Sequence, residues 1–175
     1  AAADRRDAGA SIGLTQVTAN LDESAIARAS AIERLARSPG ENTILAAEAG
    51  LKDPSPLVRR AAIAAFEILS PLQRRAVMPL LSDPVRTVRM QAARTLAPLA
   101  DDAFDSPESL AAFRRAADEF IAAERFNADR PEHRTNLGGF LADRSEMVAA
   151  EQEYRAALQL DTRFVPAWAN LADLM

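Results

Sequence analysis

The 175-residue chain contains no cysteine. That excludes disulfides, thiolate metal sites, covalent c-type haem attachment and a cysteine nucleophile. It is compatible with an oxidising or a reducing compartment. Histidine occurs once, as His133 between Glu132 and Arg134. It reads as an exposed first-turn residue, and one histidine does not make a multi-ligand metal site. There is no Gly-rich phosphate loop, nucleophile elbow or His-Glu-x-x-His. Ser24 and Ser30 have no histidine partner in view, and Asp101/Asp102 lie where solvated acids make a poor acid–base pair. No catalytic residue, metal or cofactor is therefore expected. Positive charge is not in excess either: Lys+Arg 21 against Asp+Glu 25 leaves −4, and nucleic-acid readers present a concentrated basic face. No apolar run approaches the ~20 residues that cross a bilayer, so membrane insertion is not expected. Aromatics are scarce at 5% while hydrophobic residues reach 49%, much of it alanine. That balance points to helices packed closely through small side chains.

What is present is periodic. Ala1–Ser11 is small, charged and glycine-containing and reads as a disordered tail. The start at Ala1-Ala2-Ala3-Asp4, without an initiator Met, reads as that of an excised or processed piece. Beyond it Asp22…Arg28…Ala31…Leu35 aligns with Asp53…Arg59…Ala62…Phe66 and with Asp83…Arg89…Ala92…Leu96, at steps of 31 (53 − 22) and 30 (83 − 53). Val58, Ala62, Phe66 and Leu69, and likewise Val88, Ala92, Leu96 and Leu99, recur at helical spacing as buried stripes. Asp53-Pro54, Asp83-Pro84 and Ser70-Pro71 place an N-cap acceptor before a proline at the first helical position. The spacing predicts helix pairs at 12–21 with 23–36, 42–51 with 55–69, and 72–81 with 84–97, punctuated by Ser38-Pro39-Gly40 and Pro98.

Residues 101–107 read as a linker, and Ser106-Pro107-Glu108 starts the next helix. A second period of 34 follows: Ala116-x-x-x-Phe120-x-x-Ala123 recurs as Ala150-x-x-x-Tyr154-x-x-Ala157 (150 − 116), and Asn136-Leu137 as Asn170-Leu171 (170 − 136). Gly138 and Ala150 allow close approach of two antiparallel helices. Leu137, Leu141, Tyr154 and Leu158 fill the space between them, with Trp168 packing the next repeat against Leu158.

The first section, with its Asp-Pro-x-x-x-Val-Arg-x-x-Ala-Ala form, resembles HEAT-like repeats, and the second resembles tetratricopeptide (TPR) repeats. Arg134 stands where an aromatic is common and Thr162 where the interhelix proline is usual. The order of the two sections is similar to the C-terminal repeat region of bacterial multihaem cytochrome c/TPR proteins. No Cys-x-x-Cys-His occurs here, so none of their haem chemistry passes to this chain. The resemblance implies an all-α fold, a right-handed α-α superhelix (solenoid) in which HEAT-like pairs at 12–100 continue into TPR repeats at 108–175, the last one truncated. It also implies an exported, periplasmic parent; without the cytochrome association the chain reads as cytoplasmic.

The resemblance further implies a protein or peptide ligand on the concave face. Asn136 and Asn170 would hydrogen-bond an extended backbone there, with Glu132, Thr135, Gly139, Ala169 and Asp173 as neighbours. These residues are small or acidic, so a polar or basic segment suits them better than an acidic one. The bland reading of both asparagines is a solvated helix surface. Arg28, Arg59 and Arg89 read as partners of Asp22, Asp53 and Asp83 in an interior ladder. The alternative is an anion-binding strip with Arg60, Arg74, Arg75, Arg86 and Arg94. The expected function is a non-catalytic binding scaffold. The alternative is a structural spacer or self-association domain, forming a homo-oligomer through the truncated C-terminal helix, where Trp168, Leu171 and Leu174 leave an apolar face.

Overall fold

The structure, a computed structural model, describes residues 2–38 and 40–174, with side chains from residue 11 onward. Pro39, in the expected break at 38–40, and the terminal Ala1 and Met175 lie outside the described residues. All elements among the described residues are helical. The chain divides into two compact units, the first up to Leu96 and the second from Ala97 onward.

The first unit holds α1 (Ala2–Ala19), α2 (Ala25–Ala36), α3 (Glu41–Gly50), α4 (Pro56–Ala65), α5 (Pro71–Arg74) and α6 (Arg86–Leu96). Its helix α1 begins well before residue 12, where the sequence suggests a tail. Alanine's high helix propensity carries the backbone through that stretch. Two further departures have local causes. The helix expected over 72–81 is α-helical only to Arg74 and continues as a 3-10 helix over Arg75–Ser82. Pro79 inside it lacks an N–H and crowds the carbonyl of the preceding turn. Asp53 and Asp83 do not cap the following helices directly. Each accepts the backbone N–H two residues on, from Ser55 and from Val85, both at 2.8 Å. That local turn delays the helix starts to Pro56 and Arg86.

The aligned columns share one environment. Ala31, Ala62 and Ala92 are buried, as are Leu35, Phe66 and Leu96. Val58 and Val88 complete the stripes on α4 and α6. At Gly50 of α3, a Cβ would come within 2.7 Å of Ile32 Cδ1 and 2.8 Å of Ala62 Cβ, so a hydrogen is required where α3 meets α2 and α4.

Beside this apolar stripe the arginine column makes the expected ladder. Arg28 Nε and Nη2 donate to Asp53 Oδ2 and Oδ1 at 2.9 and 3.0 Å. Arg59 repeats the fork on Asp83 at 2.7 and 3.0 Å. The remaining guanidinium nitrogen turns to backbone: Arg59 Nη1 donates to the carbonyls of Asp53 and Pro54, Arg89 Nη1 to those of Asp83 and Pro84, and Arg28 Nη1 to that of Glu23. Bidentate forks of this kind fix geometry as well as adding energy. Asp22, first in its column, is exposed. The Asp53 carboxyl is pulled two ways. Burial pushes it up, but the hydrogen bonds from Arg28 and Ser55 and the charges of Arg28 and Arg59 outweigh burial and hold it below the usual range.

The second unit holds α7 (Pro107–Phe126), α8 (Pro131–Asp143), α9 (Met147–Leu160) and α10 (Val165–Asp173). The expected linker belongs to this unit. Arg144 donates to the carbonyls of Ala97 and Leu99 and to Asp101 at 3.3, 2.7 and 2.6 Å, and its guanidinium lies 5.1 Å from the Phe113 ring centre. Arg114 also donates to Asp101, at 2.9 Å. Leu137, Leu141, Ala150, Tyr154, Ala157, Leu158, Ala167 and Leu171 form one buried cluster. Trp168 does not join it. Ala167 and Leu171, four positions apart, occupy the face of α10 toward α9, which turns Trp168 outward to bond Thr162 O at 3.0 Å.

Two substitutions test this packing. A Cβ at Gly138 would meet Tyr154 Cε1 at 2.5 Å, whereas one at Gly139 would lie an ordinary 3.8 Å from the Tyr154 hydroxyl. Gly138→Ala should therefore destabilise the chain by about 1–3 kcal/mol in urea unfolding. Gly139→Ala should be neutral or stabilising, by up to about 1 kcal/mol. Equal effects would refute the close approach of α8 and α9. For the ladder, a carboxyl held low in the folded state contributes stability above the unfolded value of about 3.9 and loses it as pH falls through the folded value. Asp53→Asn should melt below the parent chain at neutral pH, with the gap closing below about pH 4. A gap that stays constant into acid would rule out the carboxylate as its source.

Candidate functional site

An open cleft of about 400 Å³ lies within the second unit. Gly139, Ala142 and Asp143 of α8 form one wall, Asn170 and Asp173 of α10 with Leu174 the other, and Met147 and Tyr154 of α9 the floor. The helix pairing that opens it has local causes. At the end of α8, Ser145 takes the left-handed conformation (φ 64°). Ser145 N and Glu146 N then bond back to the carbonyls of Ala142 and Leu141, both at 2.8 Å, which reverses the chain into α9 within a few residues. Gly138 lets the Tyr154 ring lie against the α8 backbone, so the ring is buried while its hydroxyl reaches the cleft.

Tyr154 is the polar centre of the site. Burial pushes its phenol upward, Asp143 and Asp173 push it further, and a hydrogen bond with the Asn170 side chain partly offsets them. Lysine, arginine and histidine are absent from the lining. Three basic side chains nearby in sequence are engaged elsewhere: Arg134 with Glu153, Arg144 with Asp101, and Arg155 with Glu151. Those pairings account for Arg134 at a position expected to be aromatic, since its Nε also donates to Ala128 O at 3.0 Å.

Of the six residues expected at a ligand site, Gly139, Asn170 and Asp173 line the cleft. The other three do not. Asn136 donates its amide to Glu124 Oε2 of α7, 3.4 Å away. Thr135 is buried, its Oγ1 without a hydrogen-bond partner among the described residues. Glu132 is exposed in the first turn of α8. His133 is half-buried rather than exposed. Its place on the turn of α8 facing α7 puts Nδ1 2.8 Å from the buried Glu124 carboxylate. No group of three or more metal-ligating side chains occurs among the described residues.

Asp143 and Met147 also line the cleft with no signal in the spacing, and Tyr154, whose spacing predicts packing alone, lines it too. One signal for the site was present: Gly139 and Asp173 are a period of 34 apart (173 − 139), so equivalent positions of successive repeats face each other. Comparison with protein-family models, with curated proteins and with solved structures finds no match to this chain. No described helix is long and apolar enough to cross a membrane.

The phenol supplies a direct test, because Tyr154 is the sole tyrosine. Its ultraviolet ionisation should fall above the ordinary value of about 10, and Asp143→Asn with Asp173→Asn should lower it. Because the folded state holds that proton more tightly, stability should fall as pH rises beyond about 10. An ordinary midpoint, unmoved by the two substitutions, would contradict the described surroundings.

Proposed function

We propose that this chain is a non-catalytic scaffold that binds a protein or peptide segment. In this reading it is built from HEAT-like helix pairs continuing into TPR repeats as a right-handed solenoid, and the ligand lies in the cleft between α8 and α10. The observation that carries the proposal is the cleft itself. Its volume is in the usual range for ligand sites, and it combines apolar surface from Ala142, Met147 and Leu174 with a polar set, Tyr154, Asn170, Asp143 and Asp173. Exposed Val165 and Trp168 on α10 favour a second reading, a spacer or self-association domain of a larger protein.

Selection of displayed peptides against the full chain, with Asn170→Ala/Gly139→Arg as the counter-target, separates the two. Binding in the cleft should enrich peptides that the double variant fails to retain at unchanged melting temperature. Peptides retained equally by both proteins would move the site elsewhere. An absence of enrichment, together with a concentration-dependent dimer in sedimentation that Trp168→Ser abolishes, would favour self-association.

A further inference from the structure

We propose that the outer face of α10 docks on the same face of a second copy of this chain, as an antiparallel helix pair centred between Trp168 and Ala169. This rests on the self-association reading above and gives it a surface and a register. Asn170 and Leu174, which line the cleft, are not part of that face.

The face is an apolar stripe on the side of α10 away from α9. Val165, Trp168, Ala169 and Ala172 follow at i, i+3, i+4 and i+7, and all four are exposed. The period of 34 matches three of them to α8: Trp168 to Arg134, Ala169 to Thr135 and Ala172 to Gly138 (168 − 134, 169 − 135, 172 − 138). None of those three α8 residues is exposed. Helix α9 lies on that side of α8, with Glu153 on Arg134 and the Tyr154 ring against Gly138. The matching face of α10 is open, although Trp168 is more apolar than Arg134. An equivalent helix is what this face is shaped to receive.

Two observations select a second α10 as that helix. The first is steric. A Cβ at Gly138 would lie 2.5 Å from Tyr154 Cε1, and Ala172 carries such a Cβ. A helix with a tyrosine at the place of Tyr154 therefore does not fit, and the occupant must present small residues. The stripe itself presents them, in Ala169 and Ala172. The second is register. In an antiparallel pair whose residue numbers sum to 337, Val165 meets Ala172 (165 + 172) and Trp168 meets Ala169 (168 + 169), so large faces small throughout. The same count brings the exposed Arg163 of one copy beside the exposed Asp173 of the other, and opposite charges meet at both ends of the pair. Trp168 is already oriented by its bond to Thr162 O, so docking costs little further ordering of the ring. Two helices of nine residues bury less than the roughly 1,600 Å² of a standard interface, so the pair should be weak and concentration-dependent.

The full chain supplies its own probes, since it has no cysteine and Trp168 is the sole tryptophan. Sedimentation across a dilution series should show a monomer–dimer equilibrium, and Trp168 emission should shift to the blue as the dimer forms. Ala172→Glu, which would bury a carboxylate against Val165 of the other copy, should weaken association by about tenfold or more. Ala169→Cys should give a cross-linked dimer on mild oxidation, because its two copies lie across the pair about one residue's rise apart along the axis. Ala122→Cys, exposed on α7, should not. Association that persists in Ala172→Glu, or equal cross-linking at residues 169 and 122, would overturn the α10 pair while leaving self-association intact. A monomer at every concentration would overturn both, and would leave the stripe to a helix of another protein.

Discussion

Close approach between helix backbones is the constraint on which both units depend. With aromatics at 5% of the chain, there are few large side chains to span wide gaps, so helices must come near enough for alanine and glycine to make contact. Gly50 against Ile32 and Ala62, and Gly138 against Tyr154, are the points where even a methyl group would collide. At Gly138 the same closeness shapes the cleft. It seats one large ring flat on α8 and thereby fixes where its hydroxyl emerges.

A core made of small residues leaves room for polar structure inside it, and the arginine forks use that room. Each guanidinium is satisfied by backbone carbonyls on one side and a carboxylate on the other, so neither charge is stranded. In the second unit Arg144 plays a comparable part, gathering the segment from Ala97 to Asp101 onto α8.

The helix pairs were legible because their columns repeat: Ala31, Ala62 and Ala92 share one buried environment, and spacing alone places Arg28 on Asp53 and Arg59 on Asp83. Helix ends were less so. Whether an aspartate caps a helix or closes a turn before it depends on one hydrogen bond, to Ser55 or to Val85, that periodicity does not encode. The cleft was half legible. Gly139, Asn170 and Asp173 follow from the period of 34, but Asn136 is drawn to Glu124, a residue of the preceding helix with no equivalent at Leu158 one period on. Trp168 misled for a similar reason, since α10 turns Ala167 and Leu171 toward α9 instead.

The ladder also has a direction. Arg28 and Arg59 each hold the backbone at the head of their own repeat and the carboxylate of the one that follows. A block running from Asp53 to the residue before Asp83 thus ends in a socket that its own copy would fill, since 83 − 53 is the repeat step. Tandem duplication of one such step leaves each of these forks with a mate, whereas an insertion of another length sets an arginine out of register with the carboxylate that follows it. The pairing rule thereby defines the unit in which a chain of this kind can lengthen or shorten by gene duplication.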